Sequence, residues 1–482
     1  MNSTTLASTR CAVIAALGGL LFGFDTAVIS GTTDALADVF ELDAAGLGFA
    51  VASALIGTVI GAIAVGKPAD LVGRRSVMFL LAILYFVSAL GSALAWNDLS
   101  FILFRFIGGL GVGGASVVAP MYIAEIAPAR RRGRLVALAQ FNIVLGILLA
   151  FASNFVIATV GERLTGHPVG TDEYRAWFLD YGWRWMLGVE AVPAAAYFAL
   201  LFSVPESPRW LVARGRRDEA TRVLKQVGTD ENRSAEDEIG EIQASIDFDR
   251  DALHEKLFQR KYSTPILLAV AIAAFNQLSG INAILYYAPT IFRSAGFQES
   301  AGLLNSVGLG LMNLVFTMIG MALIDSFGRK KLMLIGSVGY ILSLGTATAA
   351  FLAFSELVTS DAGESMRTFT NTSAGYVVFA SLMVFIASHA VGQGAVIWVF
   401  LGEIFPNKVR ARGQALGSFT HWIFAAIISQ TFPMIAEFSG GYVFAFYTVC
   451  MIAQLVWVVL VMPETKGVPL ERIHERLGVT RP

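Results

Sequence analysis

Charge is what this sequence has least of: Lys, Arg, Asp and Glu make up 15% of its 482 residues, 55% are hydrophobic, and mean hydropathy is +0.64. A soluble domain carries roughly a quarter charged residues, so this chain belongs in lipid. Cysteine is nearly missing too. Cys11 and Cys450 are the only two, near opposite ends and both in apolar runs, which leaves no disulfide framework and no thiolate metal site. A net charge of −1 supplies no basic field for nucleic acid. Catalytic sets are lacking as well: there is no Ser-His-Asp arrangement, no carboxylate pair at catalytic spacing, no phosphate loop and no metal cluster, so no enzyme activity, cofactor or metal is expected. No short apolar run with a small-residue cleavage site opens the chain. The first long run carries Asp25 and reads as a retained span.

Long apolar runs are abundant. Those of spanning length fall at about 11–33, 46–66, 76–96, 99–122, 134–158 and 184–204, then at about 264–292, 301–324, 331–354, 372–402, 412–433 and 440–462. This predicts an all-α membrane protein of twelve transmembrane helices: a six-helix bundle over 1–205, a cytoplasmic helical linker over 206–262, a second six-helix bundle over 263–463 and a cytoplasmic tail over 464–482. In the linker, mixed charges surround Val223, Leu224, Val227, Ile239 and Ile242 at helical spacing, which predicts short amphipathic helices. The basic residues of the short loops (Lys67, Arg74 and Arg75; Arg130 to Arg134; Arg329 to Lys331; Lys408 to Arg412) all fall on the side of the termini. Only Arg163, Arg175, Arg184, Arg293 and Arg367 fall opposite, so both termini are expected to be cytoplasmic. Asn371-Thr-Ser forms a formal glycosylation sequon on the outer side.

The two halves repeat each other. Asp70-Leu-Val-Gly-Arg-Arg is echoed by Asp325-Ser-Phe-Gly-Arg-Lys, Glu125 precedes Arg132 as Glu403 precedes Arg410, and Pro205-Glu-Ser-Pro is echoed by Pro463-Glu-Thr-Lys. A duplicated six-helix unit places a solute site at the junction of the halves, near the bilayer midplane. The stretch from Asn276 to Tyr287 (N-Q-L-S-G-I-N-A-I-L-Y-Y) puts amides and phenols at that depth. Read as one helix, it gathers Gln277, Gly280, Ile281 and Ile284 on one face. Such groups are costly in lipid unless hydrogen-bonded. They either line a wet cavity suited to an uncharged polyhydroxylated ligand such as a sugar, or they fasten helices together. Asp25 and Arg105 lie deep in their runs and are expected to pair.

Six signatures, in this order, resemble the sugar porter family of the major facilitator superfamily over nearly the whole chain: Gly19-Gly-Leu-Leu-Phe-Gly-Phe-Asp25-Thr-Ala-Val-Ile-Ser-Gly31, Asp70-Leu-Val-Gly-Arg-Arg75, Arg132-Gly-Arg134, Pro205-Glu-Ser-Pro-Arg-Trp210, Gln277-Leu-Ser-Gly-Ile-Asn282 and Pro463-Glu-Thr-Lys-Gly467. The resemblance implies that Phe22, Gln140, Gln277, Asn282, Asn313 and Trp398 contact the sugar, with Trp422 close by. Tyr286 and Tyr287 would close over it from outside, and Asn276, Gly394 and His421 complete the expected lining. It also implies that Asp25 couples transport to protons through Arg105, since facilitators carry Asn there. A cytoplasmic gate is expected from Asp70, Arg74, Arg75, Glu125, Arg132, Glu206, Asp325, Arg329, Glu403 and Arg410, linking the halves when the outer side is open. His421 departs from the Asn or Gln usual in glucose and xylose carriers. Histidines at similar positions occur in the fructose facilitator, although a lone histidine on an apolar helix also serves as packing. The expected function is therefore proton-coupled symport of a monosaccharide, a hexose or pentose, across the plasma membrane by alternating access. Its partners are a sugar (glucose, xylose or fructose), protons and the lipid bilayer, with no nucleic acid, and the protein is expected to act as a monomer. The alternatives are an uncoupled uniporter and a sugar sensor.

Overall fold

The structure is a computed structural model and describes residues 3–229, 234–252, 255–359, 365–369, 372–406, 408–468, 473, 477 and 479. Twelve helices among them are long and apolar enough to cross a membrane. Spans 1 to 6 are Leu6–Gly31, Ala44–Ala64, Arg74–Ala93, Asp98–Ile126, Ala129–Thr165 and Asp172–Ser203. Spans 7 to 12 are Arg260–Tyr286, Glu299–Phe327, Arg329–Phe354, Ser373–Ile404, Arg410–Phe438 and Gly440–Leu460. Between the halves lie the helices Pro208–Ala213, Arg217–Val227 and Ala235–Ala252, with Val223, Leu224, Val227 and Ile239 buried as their amphipathic spacing predicts. Strands β1 (Ser355–Thr359) and β2 (Ser365–Phe369) pair antiparallel between spans 9 and 10, with Ser355 opposite Phe369. Asn371 lies outside the described residues.

Two expectations about helix continuity fail for local reasons. Span 7 is not one helix through its polar stretch: it breaks at Gly280, whose φ of +84° is a left-handed conformation open to glycine without strain. A Cβ there would also lie 2.3 Å from the Tyr447 ring. The break sets Asn276 and Gln277 on one helical piece and Asn282 and Tyr286 on the next. Span 6 begins at Asp172 and not at 184, because Phe178–Gly182, polar enough to read as loop, is a π-turn continuous with the helices on either side. A second π-turn, Ala390–Gly394, interrupts span 10 beside the candidate site.

Packing gives the halves their relation. One buried apolar cluster, on the side away from the termini, contains residues of both halves, from Phe24, Val28 and Leu55 to Ile284, Tyr287 and Phe432. Toward the termini the apolar core splits in two: one cluster holds only first-half and linker residues such as Met78, Tyr122 and Leu224, and the other only residues from Leu257 onward, such as Phe400 and Met462. The halves are thus closed against each other at one end and parted at the other. Spans 2 and 11 touch so closely at the closed end that a Cβ on Gly48 would lie 2.2 Å from the Gln430 carbonyl oxygen. Gln430 in turn donates its side-chain amide to the Ala45 carbonyl at 2.9 Å.

Candidate functional site

Aromatic and amide side chains from both halves meet between the two bundles. Phe22 of span 1 packs on Trp422 of span 11 with ring centroids 5.6 Å apart, Trp422 meets His421 edge-on at 4.8 Å, and His421 meets Trp398 of span 10 at 5.2 Å. Gln277 joins this group through His421, its Nε2 lying 3.0 Å from the ring Nε2, and through Asn276, 3.2 Å from Oδ1. Trp398 is 39% exposed although it sits within a span. Tyr287 is held away from the group: its hydroxyl donates to the Ser429 carbonyl at 3.2 Å and its ring stacks on Phe432 at 4.8 Å. Asn313 is buried and its Oδ1 accepts from Thr317, 3.4 Å away. Gln140 and Gly394 are half-buried and Asn282 is buried; among the described residues these three share no hydrogen bond with the group.

Several polar atoms of this lining have no partner within the protein. Gln277 Oε1, Asn276 Nδ2 and Asn282 Nδ2 are all buried and unpaired. Leaving a polar group in that condition costs about 1–3 kcal/mol. Three in one short stretch mark a place where a ligand or water supplies the missing bonds. Helix fastening, the alternative reading of these amides, describes Gln277 Nε2, which reaches His421 of span 11, but not these three atoms.

Next to this lining is the charged centre. Arg105 Nη1 donates to Asp25 Oδ1 at 2.7 Å and Nη2 donates to the Asp25 backbone carbonyl at 3.2 Å, with both residues 2% exposed. The pairing expected from the sequence is present. A third ionisable group completes it. Glu190 of span 6, close enough to act electrostatically on Asp25 and Arg105, is also 2% exposed, and its Oε1 has no hydrogen-bond partner among the described residues. The signal for Glu190 was in the sequence, as a carboxylate inside an apolar run. It is obscured because the apolar run in the sequence starts only at about 184, which puts Glu190 near a membrane edge. A cavity of about 10 Å³, room for roughly one water, is lined by Asp25, Arg105, Tyr286 and Trp422 among others and joins the charged centre to the aromatic group.

The duplicated charge motifs build two matching clusters at the parted end, each inside its own half. In the first, Arg74 bonds Glu125 (3.0 Å) and Asp70 (3.0 Å), while Glu206 accepts from the backbone amides of Arg74 and Arg75. Arg75 itself donates to the Leu201 and Phe202 carbonyls. In the second, Arg329 bonds Glu403 (2.7 Å) and Asp325 (3.2 Å), and Glu464 accepts from the amides of Arg329 and Lys330. Burial pushes the Glu206 carboxyl up from its ordinary range, and hydrogen bonds from the Ser207, Arg75 and Arg74 amides pull it back. Arg132 is exposed and outside the clusters, and Arg410 donates to the Phe405 carbonyl; among the described residues neither joins an ion pair. At the closed end, a pair the sequence did not signal crosses between the halves. Arg293, after span 7, binds Asp34, after span 1, with both oxygens at 2.6 and 2.8 Å. Thr33 and Thr290 meet beside it at 3.4 Å.

Comparison with known proteins concerns the chain as a whole. The family model described as sugar (and other) transporter matches residues 11–477. The chain is 38% identical over 464 residues to a glucose transport protein of Synechocystis, covering 95% of each. It is 36% identical over 500 residues to a D-xylose-proton symporter of Escherichia coli, covering 96% of this chain and 94% of the relative. An arabinose-proton symporter of Bacillus subtilis is 35% identical over 462 residues, with 96% and 93% covered. Among solved structures, the partially occluded inward-open conformation of the E. coli xylose transporter matches with a TM-score of 0.80 at 34% identity, covering 96% of this chain and 100% of that one. The proton:xylose symporter bound to 6-bromo-6-deoxy-D-glucose matches with a TM-score of 0.76, also at 34% identity, over 98% of this chain and 100% of that one.

Proposed function

The chain belongs to the sugar porter family of the major facilitator superfamily, and on that premise we propose that it carries a monosaccharide across the cell membrane together with protons, by alternating access. The observation that carries this reading is the buried Asp25–Arg105 pair on a small cavity that it shares with Trp422, whose ring packs in one group with His421 and the amide of Gln277. A sugar matches that lining because hydroxyls both donate and accept, while Phe22, Trp398 and Trp422 offer flat faces to its C–H side. No charge is needed on the cargo. Neutral hydrogen bonds contribute about 0.5–1.5 kcal/mol each, so several together hold a sugar and still release it.

In this reading the end bearing the termini is cytoplasmic, and the structure represents the state open to that side. The Asp34–Arg293 pair is the outer latch of that state. The two charge clusters are the inner gate, free of each other here and brought together across the halves, with Arg132 and Arg410, once the outer side opens. Proton transfer at Asp25 and Glu190 exchanges the guanidinium partner for a proton and changes how firmly span 1 is tied to spans 4 and 6. A competition panel of unlabelled glucose, xylose, fructose and polyols against labelled glucose and xylose uptake in proteoliposomes, with and without a pH gradient, tests the proposal. Uptake insensitive to every sugar sinks the cargo assignment. Uptake insensitive to the gradient leaves a uniporter.

A further inference from the structure

We infer that His421 is a positioning residue for sugar recognition: by accepting a hydrogen from the Gln277 side chain, it fixes which end of that amide meets the sugar. The inference rests on reading the cavity as a monosaccharide site. Gln277 Nε2 lies 3.0 Å from His421 Nε2, 3.3 Å from His421 Nδ1 and 3.2 Å from Asn276 Oδ1. An amide nitrogen carries two hydrogens, and an accepting ring nitrogen and the Asn276 carbonyl take one each. Both hydrogens are then used inside the protein. What is left over is the acceptor Gln277 Oε1 with the donors Asn276 Nδ2 and Asn282 Nδ2, all buried and unpaired, on side chains more than nine-tenths buried.

A carboxamide has nearly the same shape turned end for end, so only its neighbours decide its polarity. A neutral histidine ring has one accepting nitrogen and one N–H; with the accepting nitrogen toward Gln277, the ring takes one amide hydrogen and Asn276 Oδ1 the other, which holds the NH2 end of Gln277 against them. The ring is itself held, 5.2 Å from the Trp398 ring and 4.8 Å from that of Trp422. The site then offers the sugar Gln277 Oε1 as an acceptor held in place, and a hydroxyl facing it must donate.

Fluorine reads this polarity, because it accepts weakly and cannot donate. The experiment measures competition by D-glucose and each of its monofluoro and monodeoxy analogues against labelled D-glucose in proteoliposomes holding wild type, His421→Phe or His421→Gln. In wild type, one fluoro analogue is expected to bind about tenfold more weakly than glucose, the loss expected for one directed hydrogen bond. In His421→Phe the amide is free to turn, and that ratio falls below about threefold. In His421→Gln a carbonyl can replace the ring nitrogen as acceptor, and the tenfold ratio returns. His421→Leu carries the same expectation as the phenylalanine variant should the latter fail to fold. A ratio unchanged in His421→Phe, with all analogues weakened by one common factor, would mean the histidine only packs, and would overturn the inference while leaving sugar transport intact. Failure of glucose, xylose and fructose alike to bind wild type would overturn both.

Discussion

Replacing Asp25 by Asn separates proton coupling from sugar movement, and the structure says how much the change costs. The Asp25–Arg105 pair is 2.7 Å long and buried. At an effective dielectric constant of about 20 its attraction is about 6 kcal/mol before desolvation is subtracted. Removing one member of such a pair ordinarily costs about 3–5 kcal/mol, because a charge is stranded. Glu190, equally buried beside the pair, is expected to take over as the partner of Arg105 when Asp25 is lost. Asp25→Asn should therefore cost only about 1.5–3 kcal/mol, the value of one hydrogen bond to a charged group. Asp25→Asn with Glu190→Gln strands the guanidinium and should reach the full 3–5 kcal/mol. Thermal melting of the purified single and double variants reads this difference. Transport reads the rest: one proton per sugar sustains about tenfold accumulation per unit of pH gradient, since each unit supplies about 1.4 kcal/mol. Wild type should approach that ratio, whereas Asp25→Asn should equilibrate labelled sugar and go no further, yet retain counterflow exchange. Continued accumulation by Asp25→Asn, or equal melting temperatures for the single and double variants, would refute the reasoning.

Other consequences can be checked separately. Asp34→Asn removes the outer latch and should shift the population toward the outward-facing state by about fivefold, a charge-assisted contact near the surface being worth about 1 kcal/mol; labelling of a cysteine placed at Thr290 from outside should rise accordingly, and unchanged labelling would count against the latch. Gly48→Leu places side-chain atoms where the Gln430 backbone lies and should hold the outer side open. That variant should bind sugar from outside yet not transport it, and normal uptake would show that spans 2 and 11 need not close. Arg329→Ala dissolves the second-half cluster by removing its bonds to Glu403 and Asp325. Its maximal transport rate should fall severalfold with sugar affinity unchanged, and an equal change in affinity would place the cluster in binding instead of gating.

Much of the fold was legible because lipid imposes a length and polarity rule on every span. The same rule exposed Asp25 and Arg105, since charges deep in apolar runs are rare. It hid Glu190, because the π-turn at Phe178–Gly182 carries loop-like residues inside a span and shifted the apparent membrane edge. Continuity through Gly280 was misjudged for a different reason: periodicity reports faces of a helix but not the φ of a single glycine. The Asp34–Arg293 pair joins residues 259 positions apart at the ends of two spans and left no trace in either local sequence. Charge motifs were recognisable by repetition, but repetition does not say which half each arginine binds; in the structure the partners are local.

The most direct measurement is uptake of labelled D-glucose or D-xylose by proteoliposomes of the wild-type protein under an imposed pH gradient, alkaline inside, with and without a protonophore. The account predicts internal sugar rising above the external concentration and falling to equality when the protonophore is added. Equal concentrations with the gradient intact, or no sugar entry at all, would contradict it.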